Sequence, residues 1–284
     1  MAWMGSFARE GFAREESFRL KGWCVGGSYQ GMEMWWLAVA TVLALAGAVL
    51  GWRARSSGSA HAFWWMIGVF VCQLMFLRWR GELRGRCPLM DVGEIAAFLA
   101  WSLTLFYLVT GSAYRVSLLG MFTAPLVVLF QIVALFPGML DQEVTRAIKI
   151  NPWGEAHAAF SVLSYGALAL SGVAAVMFLV LNKRLKAHEF GDGLTKGMPS
   201  VHRLVEAMKR LGVLGWMILT VGVVTGFKME AGGWSRHLIV ALGVWLAYGI
   251  LLGLEMWRGM PPRLLAWSLI LLFGISLFVF GKIS

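Results

Sequence analysis

Charged residues are scarce in this chain. Asp, Glu, Lys and Arg make up 14% of its 284 residues, whereas hydrophobic residues make up 59%. A water-soluble domain carries roughly 25% charged residues, so this chain has too few to cover a surface that faces water. The deficit argues against an ordinary soluble fold and predicts a protein surrounded by lipid.

Cysteine is also rare, and its spacing carries no motif. Cys24, Cys72 and Cys87 are far apart, and no Cys-x-x-Cys sequence occurs. This spacing gives no support to a thiol redox centre or a zinc site. The Walker A, Gly-x-Ser-x-Gly, His-Glu-x-x-His and dinucleotide-binding signatures are missing as well. We therefore do not expect the chain to act as an enzyme on its own.

Acidic residues are few within the apolar segments. Only Glu94, Glu155 and Glu255 stand near segment ends, and no series of carboxylates crosses a bilayer. Neither a proton relay nor an ion pathway is indicated. One possible function of an apolar chain is that of a small-molecule permease, but the internal repeats typical of many permeases are not evident in this sequence.

The charge balance is basic, with a formal net charge of +10. In a soluble protein this excess would suggest a nucleic-acid partner. Here the basic residues stand between apolar runs, where they set topology and meet anionic lipid headgroups. We expect the partner to be the lipid bilayer and not nucleic acid.

Long apolar runs dominate what remains. A spanning helix needs about 20 mostly apolar residues, and eight segments qualify or nearly qualify: 34–51, 61–77, 92–110, 116–136, 155–181, 211–227, 237–256 and 263–280. Tryptophans cluster at their ends, as in an aromatic belt. Lipid cannot satisfy an open strand edge. The sequence predicts an all-α, polytopic transmembrane helix bundle with about eight spans.

The first 31 residues are unlike the rest. They are rich in Gly and Arg, and Met32 and Met34 stand directly before the first apolar segment. We hypothesise that translation begins at one of these methionines and that residues 1–31 are a misassigned N-terminal tail. Residues 32–284 then form one eight-helix membrane domain. Its only long polar connection is predicted at 182–210.

Topology follows from the even number of segments, which places both termini on one face. Basic residues divide almost equally between the two faces when the N-terminal tail is counted. Without the tail, the face that carries residues 182–210 has more of them, which makes it cytoplasmic by the positive-inside rule. The first segment lacks a convincing cleavage site and is expected to be retained. We expect a multi-pass protein of a bacterial-type cytoplasmic membrane, with both termini extracytoplasmic.

Two histidines stand at the extracytoplasmic ends of predicted spans. His157 opens the fifth and is followed at helical spacing by Ser161, Ser164 and Tyr165, a small or polar stripe typical of an inward face. His237 opens the seventh and is also expected to face inward at similar depth. Two such imidazoles are candidate ligands for a metal or for haem iron. The alternative is that each histidine hydrogen-bonds a neighbour at a helix interface.

Four stretches resemble the cytochrome c assembly membrane-protein family, which includes CcsA-type and HemX-like proteins. The Cys-Pro-Leu stretch at 85–109 resembles the family's third span, and the Pro-centred stretch at 119–130 its fourth. Residues 153–186 match best, with a His at the head of a span, a Ser-Tyr pair and a basic exit. Residues 210–227, followed by Trp234 and 244–252, resemble the sixth and seventh spans.

The resemblance implies an outward-facing haem site. His157 corresponds to the family's histidine before the fifth span and would ligate haem iron, with Trp153 and Trp234 stacking on the porphyrin. His237 matches no motif of the family and corresponds to the site only by its position near the loop at 228–236. The resemblance also implies haem and other cytochrome c maturation proteins as partners.

The sequence departs from the haem-handling members in the loop at 228–236. In the haem-handling members this loop is Trp-rich and ends in Asp followed by Pro-Lys-Glu. In this chain, only Gly232, Gly233 and Trp234 resemble that pattern. The resemblance is therefore closest to the shorter HemX-like branch. It implies a membrane protein of cytochrome c biogenesis that handles haem at the outer face. The alternative is a HemX-like, non-catalytic regulator or scaffold of tetrapyrrole biosynthesis that uses the basic loop at 182–210.

Overall fold

The computed structural model describes residues 33–49, 60–114, 119–140, 151–187, 200–229 and 236–283. These residues form eight α-helices and no strand. They are α1 (Glu33–Val49), α2 (Ala60–Arg84), α3 (Val92–Tyr114), α4 (Leu119–Leu135), α5 (Pro152–Lys186), α6 (Val201–Phe227), α7 (Arg236–Arg258) and α8 (Pro262–Ile283). The predicted tail at 1–31 and Trp234 lie outside the described residues.

Membrane-spanning character is clearest in five helices. By length and composition, α3, α5, α6, α7 and α8 are long and apolar enough to cross a bilayer, and α1 and α4 are shorter apolar helices. The exposed side chains include many large apolar ones, such as Leu246, Ile250 and Phe278, as expected for a surface that lipid covers. The all-α membrane bundle predicted from the sequence is confirmed, and the protein is a multi-pass membrane protein.

Helix α5 is the centre of the bundle. Its 35 residues make it about 52 Å long, and it packs against α6 most extensively and also against α3 and α8. Its start is well defined, because the Asn151 side chain accepts hydrogen bonds from the backbone N–H groups of Trp153 and Gly154, and Pro152 occupies the first turn.

Glycines let α5 and α6 approach closely. A Cβ atom built on Gly215 would lie 2.7 Å from the Leu168 side chain, and one on Gly222 would lie 3.1 Å from the backbone nitrogen of Ser161. Side chains at these positions would push the helices apart. Gly222 belongs to a Gly222-x-x-x-Gly226 sequence, a spacing of small residues that allows close helix approach.

The bounds predicted for the long connection, 182–210, are wrong at both ends. Helix α5 continues through Lys186, and α6 begins at Val201. The signal lies in the pattern of Leu204, Ala207, Met208 and Leu211, which are buried at helical spacing while most of the other positions are polar. A hydropathy average over the whole stretch hides this amphipathic turn.

Successive helices run in opposite directions, and their contacts define one end of the bundle. The end of α2 meets the start of α3 through Arg80 and Glu94. The end of α6 meets the start of α5 through Lys228 and Trp153. We call this the His157 end, because His157 lies in the first turns of α5.

Candidate functional site

His157 is buried between α5 and α6, with 7% of its surface exposed. Its Nδ1 atom lies 2.7 Å from the carbonyl oxygen of Gly222. A carbonyl oxygen only accepts hydrogen bonds, so Nδ1 carries the proton in this pair. The same oxygen also accepts a hydrogen bond from the Thr225 hydroxyl at 2.8 Å.

The position of the imidazole depends on a second glycine of α6. A Cβ atom on Gly226 would lie 2.8 Å from Nδ1 and 3.2 Å from Cε1 of His157. It would also lie 2.6 Å from Cδ1 of Leu238 in α7. The Gly222-x-x-x-Gly226 sequence therefore brings the helices together and also makes the surface on which the imidazole rests.

A protonated Nδ1 leaves the lone pair on Nε2. In metal-binding proteins, a histidine ligand is commonly oriented in this way, with one ring nitrogen donating to a carbonyl and the other facing the metal. Among the described residues, no hydrogen bond engages Nε2 of His157. The arrangement fits both expectations for His157, because the ring bonds a neighbouring helix and keeps one nitrogen for ligation.

Trp153 lies one turn before His157 and is 43% exposed. The ammonium group of Lys228, the first residue after α6, stands 4.7 Å from the centre of its ring. This cation–π contact is of a kind worth about 0.5–1 kcal/mol at exposed sites. Trp153 and Lys228 thus place an exposed aromatic surface and a positive charge at the same end of the bundle as His157.

His237 does not face the interior. It is exposed, whereas the next residue, Leu238, is buried. The buried stripe of α7 runs through Ala241, Val244 and Tyr248, and it continues backwards by three positions to Leu238 and not by four to His237. The prediction that His237 faces inward is wrong, because both spacings are compatible with a helix and the sequence does not choose between them.

No group of three or more His, Cys, Asp or Glu residues with metal-binding geometry occurs in the part of the chain that the structure describes. His157, His237 and Trp153 are the predicted site residues with described positions. The structure orients His157 inward with Trp153 one turn away, and it leaves His237 on the surface.

Sequence reasoning missed a buried cluster of charges at the His157 end. Arg80 is 1% exposed and makes hydrogen-bonded ion pairs of 2.7 Å with both Glu33 and Glu94. Arg84 pairs with Glu94 and with Asp91. These five residues, which we call the ion cluster, join α1, α2 and the start of α3.

Part of the signal for the ion cluster is present in the sequence. Arg80 and Arg84 are four residues apart at the end of α2, and Asp91 and Glu94 are three residues apart around the start of α3. Such spacings place each pair on one helix face. Because the second apolar segment is predicted to end at 77, the arginines fall in a predicted connection, where they are expected to act as topology signals.

The connection from α2 to α3 also contacts α5. The backbone N–H of Cys87 lies 3.4 Å from Oε2 of Glu155, two residues before His157. Burial raises the pKa of the Cys87 thiol to about 11, and the negative charges of Glu155 and Glu94 add to the effect. The first turn of α5 is therefore bound to α6 on one side and to the connection beside the ion cluster on the other.

Comparison with known proteins agrees with this architecture. The model of the cytochrome c assembly protein family matches residues 89–282. The chain is 25% identical over 253 residues to "Cytochrome c biogenesis protein CcsA" of Prochlorococcus marinus (strain MIT 9301), covering 78% of this chain and 80% of that one. It is 28% identical over 229 residues to the protein of the same name from Thermosynechococcus vestitus, covering 64% and 72%.

A second kind of relative is also found. The chain is 27% identical over 165 residues to "Protein HemX" of Bacillus subtilis (strain 168), covering 57% of this chain and 56% of that protein. The family match spans α3 to α8 and more than half of the chain, so it includes His157 and the α6 glycines that contact its ring. This protein belongs to the cytochrome c assembly protein family.

Proposed function

We propose that this protein takes part in cytochrome c biogenesis and holds haem at the His157 end of the bundle. The observation that carries the proposal is the His157 imidazole, whose Nδ1 donates to Gly222 and whose Nε2 lone pair is thereby kept for iron. The names of the CcsA relatives support the biological setting. The protein's contribution is to fix the orientation of one axial ligand.

The residues around His157 fit a haem group. A neutral imidazole is a usual axial ligand of haem iron. The half-exposed Trp153 offers an aromatic face, and Lys228 offers a cation to a carboxylate. When bound, haem would be the cargo passed to other maturation proteins, and this chain would hold and orient it. Trp234 and His237 remain predicted contributors to the same site.

An absorption spectrum of the detergent-purified protein, with and without added haem, tests the proposal. We expect a Soret band with sharp reduced α and β bands that is lost in His157→Ala. His202→Ala is the matched control, because His202 is an exposed histidine at the start of α6, at the opposite end of the bundle. An unchanged spectrum in His157→Ala would remove His157 from the site.

The placement of the protein follows from the same site. We infer that it lies in a bacterial-type cytoplasmic membrane, with the His157 end and both termini extracytoplasmic. The excess of basic residues at the opposite end, once residues 1–31 are left out, supports this orientation. A reporter protein fused after Ser284 tests it, since alkaline phosphatase is active only outside the cytoplasm and green fluorescent protein matures efficiently only inside.

A second function is supported by the similarity to Protein HemX. In that case the chain is a non-catalytic regulator or scaffold of tetrapyrrole biosynthesis, and its contact surface is basic. Exposed cations flank residues 188–199 on both sides: Lys183, Lys186, Arg203 and Arg210. Deleting 188–199 with His157 intact separates the two functions. Loss of the cellular function with the haem spectrum retained favours the regulator.

A further inference from the structure

Two glutamine side chains are buried in the interior of the α1–α4 half of the bundle. Gln73 of α2 is 1% exposed and Gln131 of α4 is 0% exposed. The amide nitrogen and oxygen of both are buried, and they find no hydrogen-bond partner within the described ranges. The indole Nε1 of Trp101 in α3 is in the same condition.

The three side chains lie at one depth. One buried apolar cluster contains a residue from each of their helices: Phe76, Ala97 and Ala134. Each polar residue is three or four positions from the cluster member on its own helix, in the direction away from the His157 end. All three therefore lie one helical turn below the cluster, by about 5 Å. The ring of Phe70, about one turn below Gln73 on α2, stacks on Trp101 with centres 5.8 Å apart, which ties α2 to α3 beside the polar side chains.

The polar layer is separate from the ion cluster. Gln73 is seven residues before Arg80 on α2, and Trp101 is seven residues after Glu94 on α3, so both are about 10 Å deeper. Below the layer, Val69 and Val127 are both fully buried in the main apolar core. The three polar side chains are thus held between two apolar layers, away from the haem site proposed above.

The chemistry of the layer demands oxygen acceptors. Two carboxamides and one indole present five N–H bonds but two carbonyl oxygens. Direct pairing of the amides would leave donors unused. A buried amide without a hydrogen bond costs roughly 1–3 kcal/mol in proteins, and in a lipid environment bulk water is not available to compensate. Water satisfies such groups when it finds two to four polar partners.

We propose that Gln73, Trp101 and Gln131 bind a small cluster of ordered water molecules inside the membrane domain. The site joins α2, α3 and α4 through water-mediated hydrogen bonds. The water molecules then lie inside this half of the bundle, about two helical turns below the ion cluster. The proposal does not rest on haem binding, and its test does not use haem.

Radiolytic footprinting of the protein in lipid nanodiscs tests the site, because hydroxyl radicals formed from bound water oxidise the side chains beside it. Trp216 and Trp245 are matched controls. Both are half-buried like Trp101, but their indole N–H groups donate to protein oxygens. We expect Trp101 to be oxidised at least about fivefold faster than either control, since bound water persists at buried polar sites.

Gln73→Leu/Gln131→Leu completes the experiment. Removing both carboxamides while keeping side-chain volume should bring the oxidation rate of Trp101 down to that of the controls. A wild-type Trp101 rate no higher than those of Trp216 and Trp245 would overturn the proposal, and this comparison does not depend on whether the variant folds. An unchanged Trp101 rate in a folded double variant would overturn it as well.

Discussion

Nδ1 of His157 and the carbonyl oxygen of Gly222 are 2.7 Å apart, and this hydrogen bond joins the first turns of α5 to the last turns of α6. Gly226 lies one turn further along α6, and the imidazole packs against it. The Gly222 carbonyl oxygen keeps the proton on Nδ1, and the absence of side chains at Gly222 and Gly226 lets the helices come close. The His157 imidazole of α5 is thus held by a backbone group of α6.

Gly226→Ala should displace the imidazole. The added Cβ would lie 2.8 Å from Nδ1 of His157 and 2.6 Å from Cδ1 of Leu238, and overpacking of this kind costs about 1–3 kcal/mol. We expect a lower thermal midpoint and a weakened haem band. Gly243→Ala is the control, because nothing lies within 4 Å of its Cβ and alanine favours a helix by roughly 0.5–1 kcal/mol. Equal effects of the two variants would contradict the close-contact explanation.

Arg80→Met should destabilise the fold strongly. The substitution leaves Glu33 and Glu94, which are 2% and 0% exposed, with too little positive charge, and breaking a buried ion pair on one side costs about 3–5 kcal/mol. Arg78→Met is the control, because the Arg78–Glu82 pair is well exposed and such pairs contribute about 0–1 kcal/mol. Thermal unfolding in detergent measures both. A midpoint for Arg80→Met within experimental error of that for Arg78→Met would rule out a stabilising role for the ion cluster.

The parts of the structure that the sequence predicts are those with a strong local signal. Apolar runs near the bilayer length predict the helices, and the polar stripe after His157 predicts that this residue faces inward. Both signals are local, because hydropathy and helical spacing act within one segment. The prediction for His237 is wrong because this residue stands at a segment end, where His237 and Leu238 fit the same helical stripe equally well. The ion cluster depends on residues as far apart as Glu33 and Arg80, and their proximity arises from packing that no single segment encodes.

The stacked indoles of Trp216 and Trp245 should couple α6 to α7. Their ring centres are 5.7 Å apart. Trp216 Nε1 donates to the carbonyl oxygen of Trp245 at 3.0 Å, and Trp245 Nε1 donates to the Thr220 hydroxyl at 2.8 Å. We expect Trp245→Phe and Thr220→Val each to cost about 1 kcal/mol.

A double-mutant cycle checks this coupling. Because both single variants remove the same hydrogen bond, Trp245→Phe/Thr220→Val should be destabilised by less than the sum of the two. Strictly additive losses of thermal stability would mean that the bond contributes nothing of its own.

Cys87 should be an unreactive thiol despite its place in a connection between helices. Thiolate is the form that reacts with alkylating reagents, and the pKa of this thiol is raised to about 11. In a variant that keeps Cys87 as its sole cysteine, alkylation at pH 8 should be about a hundredfold slower than that of a model thiol, and the rate should still be rising at pH 10.

Since burial is the largest cause of the raised pKa and the charge of Glu155 the next, Glu155→Gln should lower the pKa of Cys87 and speed the reaction only in part. Glu206→Gln, at the far end of the bundle, should leave the rate unchanged. If Glu155→Gln has no effect on the pH profile, the carboxylate is not close enough to act on the thiol, and the contact between the α2–α3 connection and the first turn of α5 must be discarded.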